Sequence, residues 1–292
     1  MGDVDSLNPP WYKGGMTLRY SVCNELFGSL PLEQAFQLLA EEGFQGVEIA
    51  PFTIFGTFSP SEIEKGIRSL RTAFSRSGLS FVGFHWLFLK PEGLRLLSEN
   101  PTERQKAWNH LKLLLEVAGS LGGGVLVLGS PLQRSAGATP KEEAEAYFRE
   151  GLVEAAEIAH RNSSVLLLEA LPSSATDMVN TLGEVDEWVK AIDKPGLSGM
   201  FDFHNTGDET DPWDALISRY VPIIKHVHFN DREGSWPKPD QEGEDPAYRS
   251  AFHTLKDRKY DGWFSLEIFT VPENPRLVLQ DTRAFLRKVW EV

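Results

Sequence analysis

The amino-acid sequence predicts a single closed (β/α)8 barrel, an α/β fold. Eight short runs rich in β-branched and aromatic residues alternate with eight amphipathic helical patterns, at a spacing of roughly 25 to 40 residues. Such regular alternation is typical of repeated strand–helix units. The alternative, an open doubly wound sheet, usually carries a glycine-rich nucleotide fingerprint after its first strand. The segment SVCNELFGSLP contains no such fingerprint, so we expect a closed barrel of parallel strands.

The predicted strands are short runs rich in residues that favour β-structure. In chain order the runs are TLRYSVC (17–23), GVEIAPF (46–52), SFVGFHWLFL (80–89), GVLVLGS (124–130), VLLLEAL (165–171), LSGMFDF (197–203), HVHFND (226–231) and WFSLEIF (263–269). Their near-continuous apolar character is typical of parallel strands that are buried on both faces.

Each predicted helix repeats apolar residues every three or four positions, with Ser, Thr, Asn or Pro at several starts and Gly at several ends. The patterns cover residues 31–44, 59–78, 100–122, 141–162, 181–192, 212–225, 246–262 and 274–292. Residues 1–15 show no periodicity, and we interpret them as an N-terminal extension. We therefore expect the catalytic barrel domain to cover residues 16–292.

Composition excludes several classes of function. The longest apolar stretches are far shorter than the roughly 18 to 20 residues that a membrane-spanning helix needs. The single cysteine, Cys23, cannot form an internal disulfide, and no charged-then-apolar leader opens the chain, so we expect a soluble, cytoplasmic protein. The net charge of −13 disfavours nucleic acid as a partner, because binding a phosphate backbone requires Lys and Arg.

Four polar residues interrupt the ends of apolar strands in succession: Glu169, Asp202, His228 and Glu267. In a barrel of this kind the carboxyl ends of the strands meet at one mouth, where active sites lie. Three buried carboxylates would repel each other strongly there unless a cation compensates them. Oxygen ligands with one imidazole suit Mn2+, Mg2+ or Co2+, and Zn2+ is an alternative. Another interpretation is that the four residues pair separately with local Arg or Lys side chains.

This ordered set, with EEGFQGVEIAPF early and KYDGWFSLEIF late, resembles the xylose isomerase-like TIM-barrel superfamily. The resemblance extends over Met16 to Val292 and is to the sugar phosphate isomerase/epimerase branch, which includes ketose 3-epimerases, hydroxypyruvate isomerases and inosose dehydratases. It implies a divalent metal, most often Mn2+, held by the four residues. It also implies that Glu169 and Glu267 are the catalytic acid/base pair. Relatives often form dimers or tetramers, so a homo-oligomer is expected on resemblance alone.

The implied reaction is an isomerisation or epimerisation of a sugar or sugar derivative. A metal that bridges a carbonyl and a neighbouring hydroxyl acidifies the carbon-bound proton, which a carboxylate removes to give an enediolate. A lyase or dehydratase acting on an inosose or an oxidised sugar would use the same proton abstraction. A DNA-repair endonuclease of the abasic-site type shares the barrel, but the net charge of −13 argues against it. A non-catalytic sugar-binding barrel is a further alternative.

The chain departs from the ketose epimerase pattern at three positions. The third glutamate of that pattern, a substrate ligand, is replaced by Ala175, although Asn180 and Thr181 fit it. The arginine expected after the metal histidine is replaced by Gly234. The histidine expected three residues after the metal aspartate is replaced by Asn205. We therefore expect a different sugar pocket and name no particular sugar.

Other polar and aromatic residues near strand ends are candidate substrate contacts, each with a structural role as the alternative. They are Glu48, His85, Trp86, His204, Asn205, Arg232 and Trp236. His226 is a candidate to orient a metal ligand. Arg134, in the loop GSPLQRSAG, is either an anion clamp or a solvated loop residue. The long loop REGSWPKPDQEGEDPAY after the seventh strand is predicted to cover the metal site when substrate binds.

Overall fold

The computed structural model describes residues 18–291, and the predicted extension, residues 1–15, lies outside them. The eight strands of the described chain form one closed parallel barrel in the order β1 to β8, with β1 paired to β8. The strands are β1 Arg19–Cys23, β2 Gly46–Ile49, β3 Ser80–Phe84, β4 Val125–Leu128, β5 Val165–Leu168, β6 Leu197–Asp202, β7 Ile224–Phe229 and β8 Trp263–Leu266. The predicted fold is confirmed.

Nine helices in residues 18–291 surround or follow the strands. They are α1 Leu32–Glu41, α2 Pro60–Ser77, α3 Pro101–Ser120, α4 Pro131–Arg134, α5 Lys141–Arg161, α6 Leu182–Ile192, α7 Trp213–Tyr220, α8 Pro246–Asp257 and α9 Pro275–Trp290. All eight predicted helices are present, and the one-turn α4 is additional. Among these residues, no helix is both long enough and apolar enough to cross a membrane.

Capping residues fix several helix starts. The side chain of Asn100 accepts a hydrogen bond from the Thr102 amide, and that of Asp245 accepts one from the Ala247 amide. Each cap satisfies a backbone donor that has no partner within its helix. The predicted pattern over 212–225 was too long at its end, because α7 stops at Tyr220 and the apolar residues from Ile224 belong to β7.

Alternation along the strands divides the apolar residues between two cores. Leu166 and Leu168 of β5 belong to the large core between the barrel and the helices. Leu167, between them, packs with Val127 and Met200 in a separate small cluster. Since residues two apart share a strand face, Glu169 follows the direction of Leu167, toward the axis of the barrel.

The contact between α3 and α5 depends on one glycine. A Cβ atom at Gly151 of α5 would lie 2.1 Å from the Cε2 atom of Trp108, which is buried on α3. The Trp108 indole also donates a 3.0 Å hydrogen bond to the carbonyl of Leu96. The ring therefore cannot move aside without losing that bond, and the glycine lets the two helices approach.

We expect Gly151→Ala to lower the free energy of unfolding by about 1–3 kcal/mol, because the added methyl group overpacks the core against Trp108. Helix propensity alone predicts the opposite sign, a gain of about 1 kcal/mol. Urea denaturation followed by circular dichroism measures the difference. Glu150→Ala, at the exposed neighbouring position, is the control and should change stability little. Equal or greater stability of the Gly151 variant would contradict the packing argument.

Candidate metal centre and active-site cavity

Four strands deliver the predicted cluster to the mouth of the barrel. Glu169 directly follows β5, Asp202 ends β6, His228 lies near the end of β7 and Glu267 directly follows β8. One ligand atom from each residue lies within 4.8 Å of the others, and all four side chains are buried. The sequence prediction that these residues converge therefore agrees with the geometry.

The three carboxylates of this cluster have unequal proton affinities. Burial, followed by the charges of Asp202 and Glu267, raises the pKa of Glu169 well above its usual range. Burial and the charge of Glu267 also raise the pKa of Asp202. Burial acts in the same direction on Glu267, but His228 and His85 outweigh it and hold its pKa below the usual range. Glu169 and Asp202 are therefore the carboxylates that most lack a positive partner, and a cation beside them would stabilise their ionised forms.

His228 is oriented by a glutamate that lies deeper in the barrel. Its Nε2 atom lies 3.1 Å from both carboxylate oxygens of Glu48. Its Nδ1 atom is buried, lies 3.1 Å from Oε2 of Glu267 and makes no hydrogen bond. With a proton on Nε2 alone, the Nδ1 lone pair would be directed at the cluster, which is the form in which an imidazole binds a metal. The orphaned nitrogen and the oxygen-rich donor set therefore fit a divalent metal.

Glu48 is fully buried beneath the cluster. Its Oε2 atom also lies 2.7 Å from Nε2 of His226. Burial disfavours its charged form, but the charges of His226 and His228 hold the pKa of Glu48 well below its usual range. Because both its oxygens are occupied by imidazoles, we do not retain Glu48 among the substrate contacts. The orienting role considered for His226 agrees with these contacts.

Asn205 and the backbone of His204 hold the carboxylates of the cluster. The Asn205 amide donates to Oε1 of Glu169 at 3.0 Å and to Oδ2 of Asp202 at 2.7 Å. The His204 backbone N–H donates to Oδ1 of Asp202 at 2.8 Å. Asn205 therefore bridges two groups that repel each other, and this contact explains an amide at that position.

A second carboxylate–imidazole chain leads to Glu267. His85 lies 3.2 Å from Oε1 of Glu267 through Nδ1 and 2.9 Å from Oε2 of Glu25 through Nε2. The His85 side chain is fully buried, so both of its nitrogens are engaged by carboxylates. Cys23 lies nearby, and burial together with the charge of Glu48 raises the pKa of its thiol to about 12. Cys23 is therefore an uncharged core residue.

A cavity of about 390 Å³ opens above the cluster. Its polar lining includes Glu169, Glu267, His85, His204 and Asn205, and its remaining wall includes Trp86, Leu89, Val127, Gly129, Ser130, Pro131, Leu132, Gln133, Leu171, Ala175 and Phe269. This volume lies in the range of about 300–1,000 Å³ that is usual for small-molecule sites. Of the predicted substrate contacts, His85, Trp86, His204 and Asn205 are in position.

Arg232 and Trp236 lie away from this cavity. The Arg232 guanidinium pairs with Asp245 at 3.1 Å and lies over the ring of Trp213. The Trp236 indole donates to Asp281 of α9 at 2.9 Å. Both side chains are engaged on the outer face of the barrel, so the structure does not support their predicted role as substrate contacts.

The loop between β7 and α8 is fastened to α9 and does not cover the cavity. The carboxylate of Asp281 holds the Lys238 ammonium at 3.1 Å in addition to Trp236. The Lys288 ammonium donates to the carbonyl of Pro239 at 2.9 Å. Among the described residues that line the cavity, none comes from 230–245. In this conformation the loop lies away from the cavity, and its closure over the metal site when substrate binds stays a prediction.

Arg134 fastens the ends of β4 and β5. It is fully buried, and its guanidinium donates to the carbonyls of Leu128, Glu169 and Val179 at 3.2, 2.6 and 3.3 Å. Both roles considered from the sequence, an anion clamp and a solvated side chain, were wrong. Burial lowers the pKa of Arg134 to about 10, which leaves it charged beside the Glu169 backbone.

Three residues that shape the site were not identified from the sequence. Glu25 follows the first strand in SVCNELF, where the same strand-end rule would have found it. A Cβ at Gly129, just after β4, would lie 2.1 Å from Oε2 of Glu169, so the absent side chain leaves room for that carboxylate. Phe269 closes the predicted strand WFSLEIF but lines the cavity. From the sequence alone, an aromatic residue at a strand end that lines a cavity cannot be distinguished from one that packs in the core.

Comparison with known proteins agrees with this architecture. The chain is 23% identical over 257 residues to a fructoselysine 3-epimerase of Escherichia coli O157:H7, covering 85% of this chain and 90% of that protein. The structure resembles that of a 3-keto-D-glucoside 4-epimerase from E. coli, with a TM-score of 0.77, 19% identity and coverage of 93% of this chain and 99% of that one. It also resembles an L-ribulose 3-epimerase, with a TM-score of 0.78, 15% identity and coverage of 94% and 95%.

A family model described as the xylose isomerase-like TIM barrel matches residues 36–289. That match includes β2 to β8 and therefore every residue of the four-residue cluster. The resemblance stated from the sequence is thereby confirmed, and the chain belongs to the xylose isomerase-like TIM-barrel family.

Proposed function

We propose that this protein is a divalent-metal-dependent isomerase or epimerase that acts on a sugar or sugar derivative by proton transfer next to a carbonyl. The observation that carries the proposal is the pairing of Glu169 and Glu267. Both line one cavity, and both belong to a buried group that fits a metal. Proton abstraction from carbon needs a positioned carboxylate together with stabilisation of the charge that develops on oxygen.

Glu169, Asp202, His228 and Glu267 would hold the metal, with Mn2+ as the first choice and Mg2+, Co2+ or Zn2+ as alternatives. When bound, the ion supplies Lewis acidity that polarises a carbonyl and acidifies the adjacent C–H bond. The supporting contacts belong to the protein itself. Glu48 fixes the orientation of the His228 ring at 3.1 Å, and Asn205 holds Glu169 and Asp202 together.

The two glutamates serve as the acid/base pair in this proposal. They follow β5 and β8, which are separated by β6 and β7 on one side of the barrel and by four strands on the other. Their carboxylates therefore enter the cavity from different strands, as removal and return of a proton on two faces of a carbon require. His85 and Glu25 hold Glu267 from behind, which limits the orientations available to its carboxylate.

The relatives support the sugar class without identifying the substrate, since they are named for epimerisation of fructoselysine, a 3-ketoglucoside and L-ribulose. The net charge of −13 argues against the endonuclease alternative. The predicted cytoplasmic location and homo-oligomeric state stay predictions.

We expect the protein, supplied with Mn2+, to incorporate solvent deuterium into at least one ketose or keto-sugar without net loss of water. Proton removal from carbon and its return from a group that exchanges with solvent would leave this label. Mass spectrometry and NMR of a sugar panel in D2O measure it. Loss of water from the labelled sugar would indicate a lyase or dehydratase. If no sugar in the panel acquired deuterium, both this activity and the isomerase or epimerase would be contradicted.

In the same assay, Glu267→Gln should lower the exchange rate by at least about a hundredfold, because it removes one member of the acid/base pair. Glu273→Gln is the matched control: the substitution is the same, and the exposed side chain lies only six residues away. The barrel of the Glu267 variant should stay folded, since Gln keeps the size of the side chain, but loss of the pairs with His85 and His228 should lower its stability. Exchange at the wild-type rate in this variant would exclude Glu267 as a catalytic group.

Metal removal should lower thermal stability, because an ion that binds only the folded state stabilises it by mass action. We expect chelator-treated protein to regain several degrees in Tm on addition of Mn2+, with about one ion bound per chain. Asp202→Asn should abolish both effects. Differential scanning fluorimetry and elemental analysis measure them, with Asp240→Asn on an exposed loop as the control. Activity that resists chelation in a metal-free protein would refute the metal assignment.

A further inference from the structure

Exposed apolar side chains surround the mouth of the cavity. Of the described residues, five large apolar side chains are exposed, namely Leu89, Leu132, Phe269, Val271 and Leu277. Three of these five, Leu89, Leu132 and Phe269, line the cavity. Leu132 is 71% exposed, which is costly for an apolar side chain with no partner. Exposed apolar side chains concentrated at one concave place mark a binding surface.

The cavity divides into a polar floor and an apolar outer wall. Glu169, Glu267 and His85 are buried at the floor. Leu171 and Ala175 join the three exposed apolar side chains in the lining, beside the polar Ser130 and Gln133. A free sugar carries hydroxyl groups around its whole ring, and each one buried without a hydrogen-bond partner costs free energy. The apolar part of this wall is therefore poorly matched to a free sugar.

The apolar rim is held in place by the fold. Leu132 lies on α4, which the fully buried Arg134 fastens to three backbone carbonyls. A Cβ at Gly234 would lie 2.2 Å from the ring of Phe269, and the Phe269 amide donates to the carbonyl of Gly234 at 2.9 Å. The ring fits where it does because residue 234 has no side chain. Fixed apolar groups bind a ligand without first losing conformational entropy.

We propose that the substrate is a sugar derivative that carries an apolar aryl or alkyl substituent, which contacts Leu89, Leu132 and Phe269 while the sugar reaches the polar floor. This substrate class rests on the proposed isomerase or epimerase function. Two observations favour a substituent of the substrate over a second copy of the chain. The rim is continuous with the cavity that ends at Glu169 and Glu267, and the rim residues surround a concave opening. One substrate molecule can therefore contact the rim residues and the two glutamates at the same time.

Binding by isothermal titration calorimetry tests this inference without requiring turnover. The probes are the phenyl and methyl β-D-glycosides of glucose, galactose and xylose, with the free sugars, added to the Mn2+-loaded protein. For at least one sugar, the phenyl glycoside should bind about tenfold or more tighter than the methyl glycoside, because the ring buries apolar surface at the rim. Equal affinity throughout the panel, or no binding of any probe, would overturn the inference.

Leu132→Ser and Phe269→Ser should each reduce the phenyl preference, and together they should remove it to within about twofold. Leu277→Ser is the matched control, since this exposed leucine lies on α9 and outside the cavity lining. A preference that survives in both rim variants, or that falls equally in the control, would refute the assigned contacts. If sedimentation shows that the rim variants dissociate a dimer and no probe shows a phenyl preference, the rim is an interface between copies and the inference fails.

The two proposals fail separately. Deuterium exchange into keto-sugars reports the chemistry at the floor of the cavity, whereas calorimetry with the glycosides reports the rim. Deuterium exchange without a phenyl preference would support the proposed isomerase or epimerase and refute the proposed substrate class. A phenyl preference without exchange into any sugar would retain the binding surface and remove the isomerase or epimerase.

Discussion

The arrangement of the barrel mouth depends on the compensation of buried negative charge. Five carboxylates meet there on the ends of five strands or the turns after them: Glu25, Glu48, Glu169, Asp202 and Glu267. Each would be costly to bury alone, and the cost falls only where a positive or hydrogen-bonding partner is close. Glu48 has two imidazoles, and Glu25 and Glu267 share His85. Glu169 and Asp202 share only the neutral amide of Asn205. Negative charge without a positive partner is therefore concentrated at Glu169 and Asp202.

The interior of the barrel is polar on one side and apolar on the other, so only some of these carboxylates have partners inside it. The hydroxyl oxygens of Ser21 on β1 and Ser265 on β8 lie 2.5 Å apart, on the same side as Glu48 of β2 and His226 of β7. The opposite side holds the Val127, Leu167 and Met200 cluster of β4, β5 and β6. Hydrogen-bonded groups thus continue inward from Glu267 and His228, whereas Glu169 and Asp202 stand above hydrocarbon. Charge at Glu169 and Asp202 therefore has no partner below it in the barrel interior, and a compensating cation would have to approach from the cavity.

The sequence predicted the fold and the convergence of the cluster, because both follow from strand periodicity. Once eight parallel strands close, the residues at their carboxyl ends must meet, whatever the loops do. Loop positions could not be predicted in this way. Arg232 and Trp236 follow β7 closely in sequence, but the loop turns outward to α9, where Asp281 holds it. Glu48 was placed correctly at a strand end, but its depth depends on the stagger of β2 and on two histidines of β7. The burial of Arg134 could not be predicted from the sequence, since its partners are backbone carbonyls from other segments of the chain.

Binding chemistry and selection of the substrate are carried by different parts of this fold. The cluster residues lie at strand ends, so their relative positions are set by the hydrogen-bonded barrel and tolerate change in the loops. The outer wall comes from segments after the strands, where one residue can alter polarity without moving the cluster. Of the three departures from the ketose epimerase pattern, Gly234 and Ala175 are the two that remove a polar side chain without putting another in its place. At the first, the missing side chain makes room for Phe269, and at the second, a methyl group faces the cavity. Both departures replace a polar partner by apolar surface above the same set of metal-type ligands, so the proposed enzyme would keep the groups for proton transfer while its preference would shift toward a less polar molecule.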